Sequence, residues 1–191
     1  MFGQTDAAQV HLANMGVGRG DVFLFFGWFR RVERSTDAFR FVKGAPDLHL
    51  LWGWLQVGAV LSVGMQPTPP WAAYHPHVAS ADHRAKNTLY IAGDRLRLDG
   101  DASGVPAAGV FHEYADRLRL TRTGAGRSTW DLPSCFAPVP GQSQLGYHAD
   151  PSRWTVAGDR VYLQTTARGQ EFALDASSCP GALDWVRNLF G

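Results

Sequence analysis

The order of apolar and polar positions along the 191 residues predicts a strand-rich chain with a helix near each end. In residues 5–15, Ala8, His11, Leu12 and Met15 follow one another at helical spacing. Thr5 or Asp6 can cap the first turn of that helix, and Gly16 suits the left-handed position that ends it. GVGRGD at 16–21 follows a helix and leads into a strand, the reverse of a phosphate-cradling glycine loop, so it predicts a connecting turn. VFLFFGWFRRV, 22–32, is apolar on both faces and predicts a central strand, with a second near Phe39–Lys43. LHLLWGWLQVGAVLSV, 48–63, predicts a long strand that bends or bulges at a glycine. Its odd positions carry Leu51, Gly53, Leu55 and Val57, a plain core face, while its even positions carry Leu50, Trp52, Trp54 and Gln56. Two indoles and an amide therefore share a face, spaced roughly 7 Å apart along the strand.

Residues 64–86 break the periodicity and read as one long irregular segment. Loops beyond ~12–15 residues are uncommon in compact domains and tend to be functional. This one holds Trp71, Tyr74, His75, His77 and His83. Strands are expected at 87–93, 108–114 and 117–124, and RSTWDLPSCF leads into a proline-rich bend around 133–140. DRVYLQTTARGQEFALD, 159–175, predicts a hairpin turning near Ala167–Gly169. A closing helix starts at about Pro180, with Ala182, Trp185, Val186 and Leu189 as its apolar stripe. Neither a repeat nor a compositional shift marks a boundary. The expectation is a single α+β domain over 1–191, strand-dominated, with a mixed or barrel-like sheet.

Composition narrows the function classes. With 45% hydrophobic and 12% aromatic residues the chain can bury enough surface to fold, which excludes disorder. Eighteen Lys plus Arg against 17 Asp plus Glu give a net charge of +1, which argues against a broadly basic nucleic-acid clamp. Sixteen of the basic residues are arginines. Cys135 and Cys179 are too few for a disulfide scaffold and lie in no zinc-finger spacing; reduced thiols are the plainer expectation, with one disulfide left open. The N-terminus lacks the basic start and apolar run of a secretory signal. Leu48–Tyr74 is free of Asp, Glu, Lys and Arg, but His49, Gln56, Ser62, Gln66, several glycines and prolines from Pro67 interrupt it as a membrane span. A soluble, cytoplasmic chain with no membrane partner is expected.

Three groups of residues carry candidate chemistry. Phe26, Trp28, Trp52, Trp54, Trp71 and Tyr74 could stack on a base, each stack contributing about 1–3 kcal/mol, with Gln56 or Asn87 reading its edge. Core filling is the competing account for the strand tryptophans. His75-Pro-His77 places two imidazoles on one side of an extended segment, suited to acid–base work or to a metal with His83, His112 or His148 as third ligand. No spacing matches a zinc signature, so no metal is assigned. Arginine collects at 117–127 (four arginines and no acid) and between Arg30 and Lys43, where five basic residues face Glu33 and Asp37. Arg30 and Arg122 are the phosphate candidates, against the alternative of a solvated strand face. Nucleophile-elbow, P-loop, HExxH and kinase motifs are missing, and Arg168, Gln170 and Glu171 fall beside a predicted turn.

FGQTDAAQVHLANMGVGRGDVFLFFGWFR, WGWLQVG, the HPH loop, NTLYIA and the late RGQEF resemble a bacterial and phage family, the third type of nucleotide modification associated domain. The resemblance extends over most of the chain. It implies an α+β domain that works with modified nucleotides or DNA, and relatives whose chains begin upstream of the FGQ segment. It assigns neither catalytic role nor cofactor to any position. A looser likeness, the Gly20-Asp21 turn feeding an aromatic strand, points to PUA-like barrels that take flipped bases, an analogy of fold alone. The leading expectation is a module that binds a nucleotide or modified base, alone or beside a modification enzyme. Trp52, Trp54, Trp71 and Tyr74 would be its walls, Gln56, His75 and His77 its polar contacts, and Arg30 and Arg122 its phosphate ligands. The alternatives are an enzyme on nucleotides with His75 or His77 as general base or metal ligand, and an interaction domain whose aromatics are all core.

Overall fold

Strands dominate the chain, as the apolar alternation predicts, and a helix lies near each end. The computed structural model describes residues 1–80, 86–139, 145–166, 172–179 and 181–191. In chain order the elements are β1 (Phe2–Gln4), α1 (Asp6–Asn14), β2 (Val22–Arg30), β3 (Val32–Arg34), β4 (Phe39–Phe41), β5 (Asp47–Ser62), α2 (Pro76–Ala79) and β6 (Thr88–Ala92). They continue with β7 (Arg95–Leu98), β8 (Asp101–Pro106), β9 (Ala108–Val110), β10 (Thr129–Pro133), β11 (Trp154–Ala157), β12 (Arg160–Gln164) and α3 (Gly181–Asn188). The fold is α+β and strand-dominated. Contacts group the residues into two units: Met1–Leu24 with Gly53–Val110, and Phe25–Trp52 with Phe111–Gly191. Among the described residues no helix is long and apolar enough to cross a membrane.

In the first unit, β6 pairs antiparallel with both β1 and the second half of β5, and β9 pairs with β5 at Gly53–Leu55. The odd face of β5 is core: Leu55, Val57 and Leu61 are buried with Leu89 and Tyr90 of β6. The expected irregularity falls at Gly58, where the register with β6 shifts between Val57 and Ala59. A Cβ at Gly58 would lie 2.7 Å from the Gly93 backbone, so only glycine fits. Thr5 is the N-cap residue of α1, and Gly16 follows that helix at φ +72°, as its left-handed cap position predicts.

In the second unit, β12 lies between β10 and β11 in an antiparallel sheet, and β3 pairs with β4. Trp130, Leu132, Val161 and Leu163 are buried there, as are Ala182, Val186 and Leu189 at the C-terminal helix. Trp185 meets Phe136 edge to face, 5.2 Å between centroids.

Three expectations are corrected. β2 is not a central strand: it ends the order β1-β6-β5-β2, and Trp28 and Phe29 at its tip are exposed. Among the described residues no strand pairs with its other side, and the arginines Arg30 and Arg31 stand at its end. Residues 117–124 form no strand but a single 3-10 turn at Asp116–Leu118 and two isolated bridges. The alternation seen there instead buries Leu118 and Leu120, each 3% exposed, without a ladder. The hairpin of β12 is made with β11, through Gly158 at φ +64°. The expected turn at Ala167–Gly169, with Arg168, Gln170 and Glu171, lies outside the described residues, as does His83.

Candidate functional site

The even face of β5 does not form the expected ligand wall. Trp54 is 8% exposed, its indole N–H donates to the Pro106 carbonyl at 2.9 Å, and its ring lies across Gly109, where a Cβ would come within 2.6 Å. Gln56 is buried and its amide is fully committed: Nε2 donates to the carbonyls of Gly20 (2.8 Å) and Arg97 (2.6 Å), and Oε1 accepts from the Arg97 N–H (2.7 Å). Such an amide ties backbone together and has nothing left for a base edge. Trp52, by contrast, is 42% exposed, stacked on Phe25 at 5.4 Å and lying against Gly27, which leaves room for it.

The first unit gathers Trp71, Tyr74, His75 and His77 on one short stretch, a 3-10 turn at Pro70–Ala72 followed by α2. The stretch is pinned. Ala72 is fully buried against Leu61 and Leu89, Val78 packs on the same cluster, and Trp71 and Tyr74 remain 55% and 78% exposed. Asn87, 5% exposed, holds His77 by two bonds: its Nδ2 donates to the His77 carbonyl at 2.6 Å, and its Oδ1 meets His77 Nδ1 at 2.8 Å. The His77 N–H donates to His75 Nδ1 at 3.2 Å, and the two rings are 5.3 Å apart. Burial, then the neighbouring His77 and the terminal amine, lower the His75 pKa and keep the ring neutral. Two imidazoles alone make an incomplete metal site, and among the described residues no group of three or more His, Cys, Asp or Glu side chains gathers around a metal position.

In the second unit the tip of β2 and the start of β5 carry a different constellation. Arg30 Nε donates to Asp47 Oδ1 at 2.6 Å, and its guanidinium lies 5.3 Å from the Phe41 ring. Asp47 also accepts a hydrogen bond from Trp28, whose one polar side-chain atom is the indole N–H. The Arg30 hydrogen bond, then the Trp28 one, bring the Asp47 carboxyl down to about 2. The Arg127 guanidinium covers a face of Trp28, 4.2 Å from the ring centroid, and its buried Nε has no hydrogen-bond partner among the described residues. Fixed at one edge and on one face, Trp28 is still 63% exposed. On β5, His49 accepts the Trp130 indole N–H on Nδ1 at 2.9 Å, so the neutral ring carries its proton on Nε2. Burial, then the Arg127 charge, lower the His49 pKa.

Arg122 precedes Arg127 on the same loop and stacks on Tyr162 at 3.8 Å. Arg30, Arg122 and Arg127 thus each lie over an aromatic ring, all within the second unit. A cleft of about 170 Å³ in that unit is lined by Arg117, Arg119, Asp131 and Arg160 among others. Its cations are already engaged, Arg160 by Asp131, Arg119 by Asp116 and Arg117 by the Leu189 carbonyl. His148, offered as a third metal ligand, is fully buried, with Thr166 N–H donating to Nε2 and Nδ1 bonded to the Gly146 carbonyl. Sequence reasoning grouped Trp28 with the aromatics and Arg127 with the arginines but put neither in the leading site, and it missed Asp47 and His49 as site residues. The signal for Trp28 was present: an apolar run that turns abruptly basic at Arg30-Arg31, as a strand end reaching solvent does.

These features define a strand-dominated α+β domain with guanidinium–aromatic pairs on its surface. The model of the family Nucleotide modification associated domain 3 matches residues 1–175, and the chain belongs to that family. Neither the curated proteins nor the solved structures contain a match.

Proposed function

We propose that this nucleotide modification associated domain binds a nucleotide, free or exposed in DNA, by stacking the base on Trp28, with Arg127 and Arg30 toward the phosphate. The observation that carries the reading is an indole that is immobilised yet 63% exposed. Core tryptophans are fixed by burial, and idle surface rings are not fixed at all. Here a carboxylate and a guanidinium hold the ring flat toward solvent, an arrangement with little ordering cost left for a planar ligand. Guanidinium–aromatic pairs recur where bases stack without sequence readout. The near-neutral net charge of +1 favours a local site over a DNA-coating surface.

Calorimetric titration of the chain with unmodified and modified nucleoside monophosphates tests the proposal. Trp28→Ala is expected to weaken binding by about 10–100-fold, the equivalent of one lost stack. Arg127→Ala is expected to weaken binding and flatten its salt dependence. An absence of binding across the panel, or a Trp28→Ala chain that binds as tightly as the parent, overturns the reading.

A further inference from the structure

The first unit contains a second arrangement that stacking on Trp28 does not use. Asn87 Nδ2 donates to the His77 carbonyl, which fixes the amide orientation and turns Oδ1 toward His77 Nδ1. An amide oxygen only accepts, so His77 must carry its proton on Nδ1 and leave the Nε2 lone pair bare. His75 is set the other way: its Nδ1 accepts the backbone N–H of His77, so the neutral ring bears its proton on Nε2. Neither Nε2 has a hydrogen-bond partner among the described residues. Gly3 of β1 lies against both rings, nearest His77 Cδ2 and Cγ and His75 Cε1. A Cβ there would come within 2.6 Å of the His77 ring and 2.8 Å of the His75 ring. That strand is in turn locked by β6, Gly3 opposite Leu89, two residues after Asn87.

We propose that this pair is an acid–base site, with His77 Nε2 as proton acceptor and His75 Nε2–H as neighbouring donor, for a ligand edge that sets an N–H beside an oxygen. Among nucleotides that edge is the lactam of uracil, thymine or guanine; this choice of ligand class rests on the nucleotide reading above, whereas the two tautomers do not. In the step, the ligand N–H bond breaks and its proton forms a new N–H bond on His77 Nε2. The electron pair stays on the ligand and delocalises to the oxygen, which accepts from His75 Nε2–H. The resulting His77 imidazolium keeps its Nδ1–H on Asn87 Oδ1, the orienting partner that a catalytic histidine requires.

Side-chain nitrogen NMR of the full chain at pH 8 tests the assignment. His77 is expected with a protonated Nδ1 and bare Nε2, and His75 with the reverse. Asn87→Ala is expected to release His77 into a mixture of tautomers. If burial makes that variant unstable, Asn87→Asp, which retains the acceptor, is expected to preserve the Nδ1–H. Uridine 5′-monophosphate should shift the His77 Nε2 resonance, and its N3-methyl derivative, which lacks the N–H, should not. The same titration on Trp28→Ala separates this edge contact from stacking, because the His77 response should be unchanged there. A proton found on His77 Nε2, no response to uridine 5′-monophosphate, or an equal response to both nucleotides overturns the proposal.

Discussion

The two units hold their ring side chains by opposite physics. In the first, His75 and His77 are set by neutral hydrogen bonds from a buried asparagine and a backbone N–H, against a glycine that lets a strand press on both rings. In the second, Trp28 is set by charges, the Asp47 carboxylate at its edge and the Arg127 guanidinium on its face. Hydrogen bonds between neutral groups fix which atom carries a proton, as reading an edge or moving a proton requires. Charges around an exposed ring fix a plane and a field but read no donor–acceptor pattern, as tolerant stacking on a phosphate-bearing ligand requires. The first arrangement suits selection, the second capture.

The largest expected effect tests whether the even face of β5 is scaffold. Gln56→Ala would strand the Arg97 N–H and two carbonyls in the core, a cost of about 3 kcal/mol, read as a lower urea midpoint. A Gln56→Ala chain of parental stability that no longer binds nucleotide would return Gln56 to the ligand site. Next, Gly3→Ala forces both imidazoles to move and is expected to cost about 1–3 kcal/mol. Its His75 and His77 resonances should shift while nucleotide stacking in the second unit stays intact; loss of both would mean that the two sites are not separate. Trp28→Ala is smaller in stability, about 0.5–1 kcal/mol for the lost contact with Arg127, and shows chiefly in binding. A large fall in its unfolding midpoint would make Trp28 a structural residue.

Acid provides the gentlest probe. Burial lowers the pKa values of His49, His148 and His75, so their neutral rings favour the folded chain. That contribution is complete above the usual histidine value of about 6.5 and is lost as pH falls through their lowered folded values. Asp47 behaves like other depressed carboxyls: its contribution is present above the ordinary aspartate range and is lost as pH falls toward about 2. Urea midpoints should therefore be flat near neutrality, fall below pH of about 6.5, and fall again in strong acid. Rising stability between neutrality and moderate acid would contradict the neutral histidines.

Local periodicity was enough to read α1, its Gly16 end, the odd core face of β5 and the closing helix, because each follows from side-chain spacing within one element. Alternation also placed Trp52, Trp54 and Gln56 on one face, yet it cannot say what covers that face. Pro106 and Arg97, 52 and 41 residues later in the chain, decide that Trp54 and Gln56 are interior. The HPH segment drew notice for its composition, but its tautomers depend on Asn87, and the Trp28 plate depends on Asp47 and Arg127. None of these partners is close enough in sequence to leave a pattern. Arg30 was legible as a phosphate candidate; its engagement by Asp47 was not.

The most direct test of the central claim is a crystal structure of the chain with a nucleoside monophosphate. The account predicts the base lying parallel to Trp28 on the face away from Arg127, at a contact distance of about 3.5–4 Å, with the phosphate turned toward Arg127 or Arg30. A nucleotide seated elsewhere, with the Trp28 face still open to solvent, would contradict it.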